Sequence, residues 1–289
     1  VEIKKTVRLM DIFLLYPMRD PDVNTAYVRF FMTLDALSRA SVGKVIIIAP
    51  YMPFSRQDRK PKPRQPISAK MVAKHIEVEE ETVKGLITFD FHSEQIQGFY
   101  NIPVDNLYGH KPLLAYCRAL YGKDFASTVI CSPDGGGVTR ARRFAHSSEP
   151  KLRYINLDKY RNGVNSIEML EFHGNVDGCH IILFDDLIDT GTTTVEAVKV
   201  LRQAGAISVL AAATHGVFSR SKKDGRTAED RLREAGVKVM VTESIPRSDA
   251  YKAANRDWLT IVPIDEILAE TISTALTPGG SIDAMNHKC

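Results

Sequence analysis

The run C-H-I-I-L-F-D-D-L-I-D-T-G-T-T-T-V-E-A-V-K-V-L from Cys179 carries chemistry-bearing residues at telling spacing. It reads as a buried strand, an acidic pair, a tight turn and a helix. Asp185 and Asp186 are placed at the carboxyl end of a parallel strand, where open α/β sheets put their ligands. Carboxylates there accept hydrogen bonds from sugar hydroxyls or hold a hydrated magnesium ion. Asp189, Thr190, Gly191, Thr192 and Thr193 form the turn into the helix, whose free amides and positive dipole end suit a phosphate monoester. Aspartate and threonine are also ordinary helix caps. The two preceding acids and the threonines around one glycine favour a ligand site over a plain cap. Val195, Val198 and Leu201 give the helix an apolar face and leave Lys199 and Arg202 for solvent.

Further candidates also follow strand-like runs. Arg56-Gln57-Asp58-Arg59-Lys60 comes after V-I-I-I-A-P-Y and continues into K-P-K-P-R, a positive loop at a strand's carboxyl end that suits a polyphosphate or, equally, forms a solvated face. F-D-F-H-S-E-Q-I-Q-G-F-Y-N-I-P-V-D-N-L from Phe89 places His92 after a strand, a position where a lone histidine is commonly structural. V-I-C-S-P-D-G-G-G-V-T-R-A-R runs from a strand into Gly135, Gly136 and Gly137, whose backbone amides can approach a diphosphate closely. L-D-K-Y-R-N-G from Leu157 to Gly163 ends a strand-like run and reads as a mobile loop.

The elements that must position these residues are legible as apolar runs: Ile12–Leu15, Val45–Ile48, Leu86–Phe89, Val129–Cys131, Ile181–Phe184, Val209–Ala213, Val237–Val241 and Leu259–Ile264. Helical patterns fall between them at Ala26–Arg39, Ser68–His75, Thr139–His146, Thr194–Ala204, Ala228–Ala235 and Asp265–Ala275, with Gly205 and Gly236 as C-terminal stops. Such alternation predicts α/β architecture with mostly parallel sheets covered on both faces. At 289 residues the chain has room for two such units. The element order puts a boundary near Tyr108.

With 38 basic against 35 acidic residues the net charge is +3, so nothing global points to nucleic acid or an anionic membrane. Cys117, Cys131, Cys179 and Cys289 lack the spacing of a zinc site or disulfide framework, which makes a reducing, cytoplasmic compartment the expectation. No apolar run approaches the ~18 residues that span a bilayer. Val1 is not methionine, and Val1–Arg8 reads as the end of an element, so residues preceding it are expected.

R-Q-D-R-K, D-F-H-S-E-Q-I-Q-G-F, S-P-D-G-G-G, L-D-K-Y-R-N-G and the Asp185–Thr193 run, in this order, resemble the ribose-phosphate diphosphokinases, or phosphoribosyl diphosphate synthetases. The last run is shared with plain phosphoribosyltransferases; the first is absent from them. The resemblance spans nearly the entire chain. It implies two phosphoribosyltransferase-type α/β domains, residues 1–108 and 109–264, with a C-terminal helix from about 265 returning to the first. It implies transfer of the β,γ-diphosphate of ATP to the anomeric hydroxyl of ribose 5-phosphate, a step of nucleotide biosynthesis that releases AMP. By the same resemblance, Arg56, Gln57 and His92 bind ATP. His92 and Asp134 are metal-site residues for magnesium, and Arg140 matches a basic position. Lys159 and Arg161 match the catalytic-loop lysine and arginine that close over the transferring phosphoryl group. Ribose 5-phosphate falls to Arg161, Asp185, Asp186, Asp189, Thr190, Gly191, Thr192 and Thr193. Assembly is expected to be homo-oligomeric, usually hexameric, with no nucleic-acid or membrane partner.

Three departures stand out. The family's aromatic and acidic adenine-contacting loop precedes the segment that matches Val1. Tyr160 stands where many members have arginine, and Thr192 where the phosphate loop usually has a second glycine. The last two motivate an alternative acceptor, a larger ribose 5-phosphoryl compound such as ADP-ribose. A non-catalytic regulatory subunit and a phosphoribosyltransferase are the other readings.

Overall fold

The computed structural model describes residues 1–19, 22–79, 81–161, 168–172 and 174–282. The chain divides into two compact units. The first is Val1–Tyr108 with Ser244–Pro246 and the segment beginning at Glu266; the second is Gly109–Glu243 with Arg247–Asp265.

In the first unit the elements are β1 (Asp11–Leu15), α1 (Val23–Arg39), β2 (Lys44–Ile48), α2 (Ser68–Ile76), β3 (Val83–Phe89) and β4 (Val104–Leu107). The strands pair in the order β1-β2-β3-β4, all parallel. The apolar runs of β2 and β3 are buried because helices cover them. Helix α1 starts where Asp22 accepts from the amides of Asn24 and Thr25, and it buries Ala26, Tyr27, Phe30, Leu34 and Leu37. Of these, Tyr27, Phe30, Leu34 and Leu37 pack with Val45, Ile47, Val72 and Leu86 into one core.

The second unit runs α3 (His110–Tyr121), β5 (Val129–Ser132), α4 (Val138–His146), β6 (Arg153–Arg161), β7 (Glu168–Phe172), β8 (His180–Ile188), α5 (Thr192–Gln203), β9 (Ser208–Gly216), α6 (Ala228–Glu234), β10 (Lys238–Thr242), α7 (Asp249–Asn255) and β11 (Leu259–Val262); α8 (Asp265–Leu276) follows. Its seven strands are ordered β11-β10-β9-β8-β5-β6-β7, parallel except for the antiparallel β6–β7 pair. Helix α5 buries Ala197, Val198 and Leu201, while Lys199 stays exposed. Arg202 is exposed too, but its guanidinium donates to the carbonyls of Ala235 and Gly236 at 2.9 and 2.7 Å, closing the end of α6. Gly205 and Gly236 have φ of 92° and 61°, the left-handed geometry of helix stops.

The α/β reading with mostly parallel sheets is borne out. Four elements escaped it, β4, α3, β7 and α7, and of β6 only a strand-like run before Leu157 was legible. Strand β4 is only Val-Asp-Asn-Leu, and α3 begins His-Lys-Pro, with proline in the first turn where its missing N–H does no harm. The loop reading of Leu157–Gly163 is corrected. Leu157 to Arg161 are strand, paired with Phe172 to Glu168 of β7. An antiparallel ladder supplies the hydrogen bonds that the local sequence does not announce. Asn162 and Gly163 lie outside the described residues. Among the described residues, no helix is long and apolar enough to cross a membrane.

Candidate active site

In the second unit the candidate residues collect at the carboxyl ends of the adjacent strands β8, β5 and β6. Parallel pairing of β5 with β8 ends at Cys131 and Leu183, so Asp185 and Asp186 stand beyond the end of β5 while still on β8. The strand continues to Ile188, held on its other side by β9, with Asp185 opposite Ala213 and Ile188 opposite Gly216. The acids are therefore fixed by a ladder on one side and open on the other.

Arg140, one turn into α4, fills part of that opening. Its Nη1 lies 3.2 Å from Asp185 Oδ1 and 3.3 Å from Asp186 Oδ1. The Arg140 side chain is 14% exposed, Asp186 3% and Asp185 30%, so the cluster is largely withdrawn from water. Burial, and then the neighbouring Asp186 carboxylate, push the Asp185 carboxyl above its ordinary value, against the pull of Arg140. One guanidinium does not fully offset two adjacent acids. The site keeps an affinity for hydroxyl donors or a further cation.

After Ile188 the chain turns through Asp189 and Thr190 to Gly191, the N-cap of α5, at φ 74°. A Cβ there would also meet Leu232 Cγ of α6 at 3.1 Å, so glycine is required twice over. Gly191 has no side chain with which to cap, and the first-turn amides of Thr192 and Thr193 receive no side-chain cap bond. That leaves them for an anion, in the field of the helix dipole. The hydroxyls of Thr190 and Thr192 are 3.3 Å apart. Thr192 is exposed, at the first position of the helix, where a side chain adds a donor without entering the core.

The glycine turn after β5 is equally built. Asp134 accepts from the Gly137 amide at 3.0 Å, and Ser132 Oγ donates to the Asp134 carbonyl at 2.7 Å. A side chain on Gly137 would collide with that Ser132 hydroxyl. Asp134 thus has a structural task, which occupies one carboxylate oxygen. Asp158 of β6 faces the same turn, its Oδ1 3.5 Å from where a Cβ of Gly135 would stand. Lys159 and Arg161 are in the backbone register opposite Leu170 and Glu168.

In the first unit Arg56 and His92 follow the ends of β2 and β3, which are neighbouring parallel strands. Arg56, Gln57, Arg59, Lys60, Lys62 and Arg64 are exposed in the loop from β2 to α2. Gln57 helps start α2: its carbonyl accepts from Ala69 at 3.2 Å and its side-chain oxygen accepts from the Ser68 hydroxyl. His92 sits in a turn pinned to β4, where Asp90 donates to the Leu107 carbonyl at 2.9 Å and Phe91 to Asn106 Oδ1 at 3.1 Å. The structure brings Asp185 and Asp186 together with Arg140, and sets Arg56, Gln57 and His92 after the ends of neighbouring strands.

Among the described residues no group of three or more histidine, cysteine, aspartate or glutamate side chains could by itself hold a metal ion. Magnesium does not need one, since it keeps waters and leans on one or two carboxylates plus substrate phosphates. Sequence reasoning noted Arg140 without its partners. Its signal was a basic residue three positions after the glycine turn, in a chain that also carries an acidic pair.

The family profile described as the N-terminal domain of ribose phosphate pyrophosphokinase matches residues 1–79, and that of the phosphoribosyl synthetase-associated domain matches residues 147–277. The chain is 44% identical over 275 residues to a ribose-phosphate pyrophosphokinase of Thermotoga maritima, covering 94% of this chain and 82% of that one. It is 39% identical over 272 residues to a ribose-phosphate pyrophosphokinase of Helicobacter hepaticus, with the same coverage. Among solved structures, phosphoribosylpyrophosphate synthetase from Mycobacterium smegmatis superposes with a TM-score of 0.81 at 34% identity, covering 95% of this chain and 85% of that one.

Proposed function

Because the chain belongs to the ribose-phosphate pyrophosphokinase family, we propose that it transfers the β,γ-diphosphate of ATP to the anomeric hydroxyl of ribose 5-phosphate, forming 5-phosphoribosyl 1-diphosphate and AMP. The chain is an ATP-dependent transferase, and its substrates are small molecules. Similarity along 94% of the chain to relatives bearing that name carries this reading and does not favour the larger acceptor, the regulatory subunit or the phosphoribosyltransferase.

The residues divide the task. The open amides at the start of α5, with the hydroxyls of Thr190, Thr192 and Thr193, hold the 5-phosphate. Asp189 and Gly191 shape that loop. Asp185 and Asp186, pre-paired with Arg140, accept from the ribose hydroxyls and orient the sugar. The exposed basic loop from Arg56, with Gln57, takes the nucleotide. In-line attack of the anomeric oxygen on the β-phosphorus needs positioning and charge neutralisation more than a nucleophilic side chain. Lys159 and Arg161 supply fixed positive charge to the phosphoryl oxygens and the departing AMP oxygen.

Magnesium fits the donor set, since Asp134 spends one oxygen on Gly137 and keeps the other; His92 is assigned to magnesium by family likeness alone. When bound, it neutralises charge on the triphosphate oxygens. The assembly is homo-oligomeric, hexameric by family likeness, in the cytoplasm.

The test incubates the protein with magnesium-ATP and either ribose 5-phosphate or ADP-ribose while AMP and the new diphosphate are followed by phosphorus NMR. AMP formation with ribose 5-phosphate is expected. Equal or better activity on ADP-ribose restores the larger acceptor, and no AMP with either rejects the activity.

A further inference from the structure

The phosphate loop is held from behind by a device outside every motif above. Arg231 of α6 donates from Nε to the carbonyl of Thr190 at 3.1 Å. From Nη2 it reaches both carboxylate oxygens of Asp224, at 3.0 and 2.8 Å. Arg231 is 14% exposed and Asp224 40%.

Asp224 is delivered by a turn built for the purpose. Ser221 donates to the Arg226 carbonyl at 2.8 Å and Gly225 to the Ser221 carbonyl at 2.9 Å, with Gly225 at φ 70°. Asp224 Oδ1 accepts from the Arg226 amide at 3.2 Å. Arg231, Ser221 and that amide hold the Asp224 carboxyl well below the usual range, so it remains charged opposite the guanidinium. The same turn is tied to the phosphate loop by Ser219, which donates to the Asp189 carbonyl at 3.1 Å.

Across a trans peptide the C=O and the following N–H point in opposite directions. A guanidinium holding the Thr190 carbonyl toward α6 therefore aims the Gly191 amide away from α6. Leu232, the next residue of α6, lies close against Gly191, where a Cβ would meet its Cγ at 3.1 Å. Helix α6 thus sets the loop's amides before a ligand arrives.

We infer that Arg231, braced by Asp224, is a positioning residue for the phosphate group of the sugar substrate, acting through the Thr190–Gly191 peptide. This rests on the assignment of the loop to ribose 5-phosphate. Neither side chain touches substrate, so its loss weakens binding of one substrate and leaves the chemical step alone.

The experiment compares the wild-type protein with D224N, R231Q and the double variant. Readouts are KM for each substrate, kcat, the melting temperature, and calorimetric affinity for ribose 5-phosphate without ATP. Both single variants are expected to raise KM and Kd for ribose 5-phosphate by about tenfold, the scale of one charge-assisted hydrogen bond, with KM for ATP and kcat within about twofold. The double variant should be no worse than R231Q, because the two side chains act as one unit. Unchanged ribose 5-phosphate affinity in D224N, or KM for both substrates rising together with a lowered melting temperature, overturns the inference. D224N decides alone should R231Q not fold. A wild-type protein that binds ribose 5-phosphate but forms no AMP defeats the assigned activity instead, and calorimetry still judges Arg231.

Discussion

Arg140 Nη1 lies 3.2 Å from Asp185 Oδ1, so a residue from the glycine turn's helix reaches the acid pair on the neighbouring strand, beyond the point where β5 stops. Removing that guanidinium leaves two adjacent, largely buried acids without the cation that lies 3.2 and 3.3 Å from them. R140M is expected to lower stability at neutral pH by about 2 kcal/mol, below the range for a fully buried pair because Asp185 is partly exposed. Chemical denaturation measures it; an unchanged midpoint would contradict the clamp.

The raised Asp185 carboxyl makes stability depend on pH with a definite sign. Burial and Asp186 let the folded protein hold this proton more tightly than the unfolded chain, whose aspartates titrate near ~3.9. The contribution is present below that value and is lost as pH rises through the folded one. D185N removes this dependence. The melting temperature of D185N minus that of wild type is expected to grow from pH 4 upward, on the order of the linkage effect of a single group. A flat or shrinking difference sinks the idea.

At Gly191, φ 74° and Leu232 Cγ 3.1 Å from a would-be Cβ make alanine both strained and tight. G191A should lose about 1–2 kcal/mol of stability from the left-handed backbone alone. Distortion of the loop should also raise KM for ribose 5-phosphate more than KM for ATP. Steady-state kinetics with each substrate varied would show the contrast; equal changes would place the phosphate elsewhere.

Asp134 combines a cap with a proposed metal role, and two substitutions separate them. Asparagine keeps an oxygen for the Gly137 amide, whereas alanine does not. D134A is expected to lose about 1 kcal/mol of stability and D134N little. Both should need more magnesium for half-maximal rate. If D134N titrates with magnesium like wild type, the carboxylate's charge is not used.

Lys159 has no counterpart test in stability, because its proposed work is on the transition state. K159A is expected to lower kcat by about a hundredfold or more while folding normally. A near-normal kcat would remove it from the mechanism.

Much of this protein is determined locally by its sequence. Apolar runs of Val, Ile and Leu alternating with helical patterns were enough for parallel α/β sheets, since burial on both faces demands such runs. The Asp185–Thr193 order was enough for an acid pair, a turn and a helix whose free amides suit an anion, because those are properties of adjacent residues; that Gly191 is the N-cap came from the structure. Tertiary structure decided what depends on partners far along the chain. Leu157 to Arg161 became strand through β7, with which they form a ladder. Arg140 acquired its acids because β5 stops short of Asp185, and a strand's relative length is set by its neighbours. Arg231 meets Thr190, 41 residues away, only because α6 packs under the phosphate loop. Side-chain type announces what a residue could bind; the packing of elements settles which carbonyl or carboxylate stands within 3 Å of it.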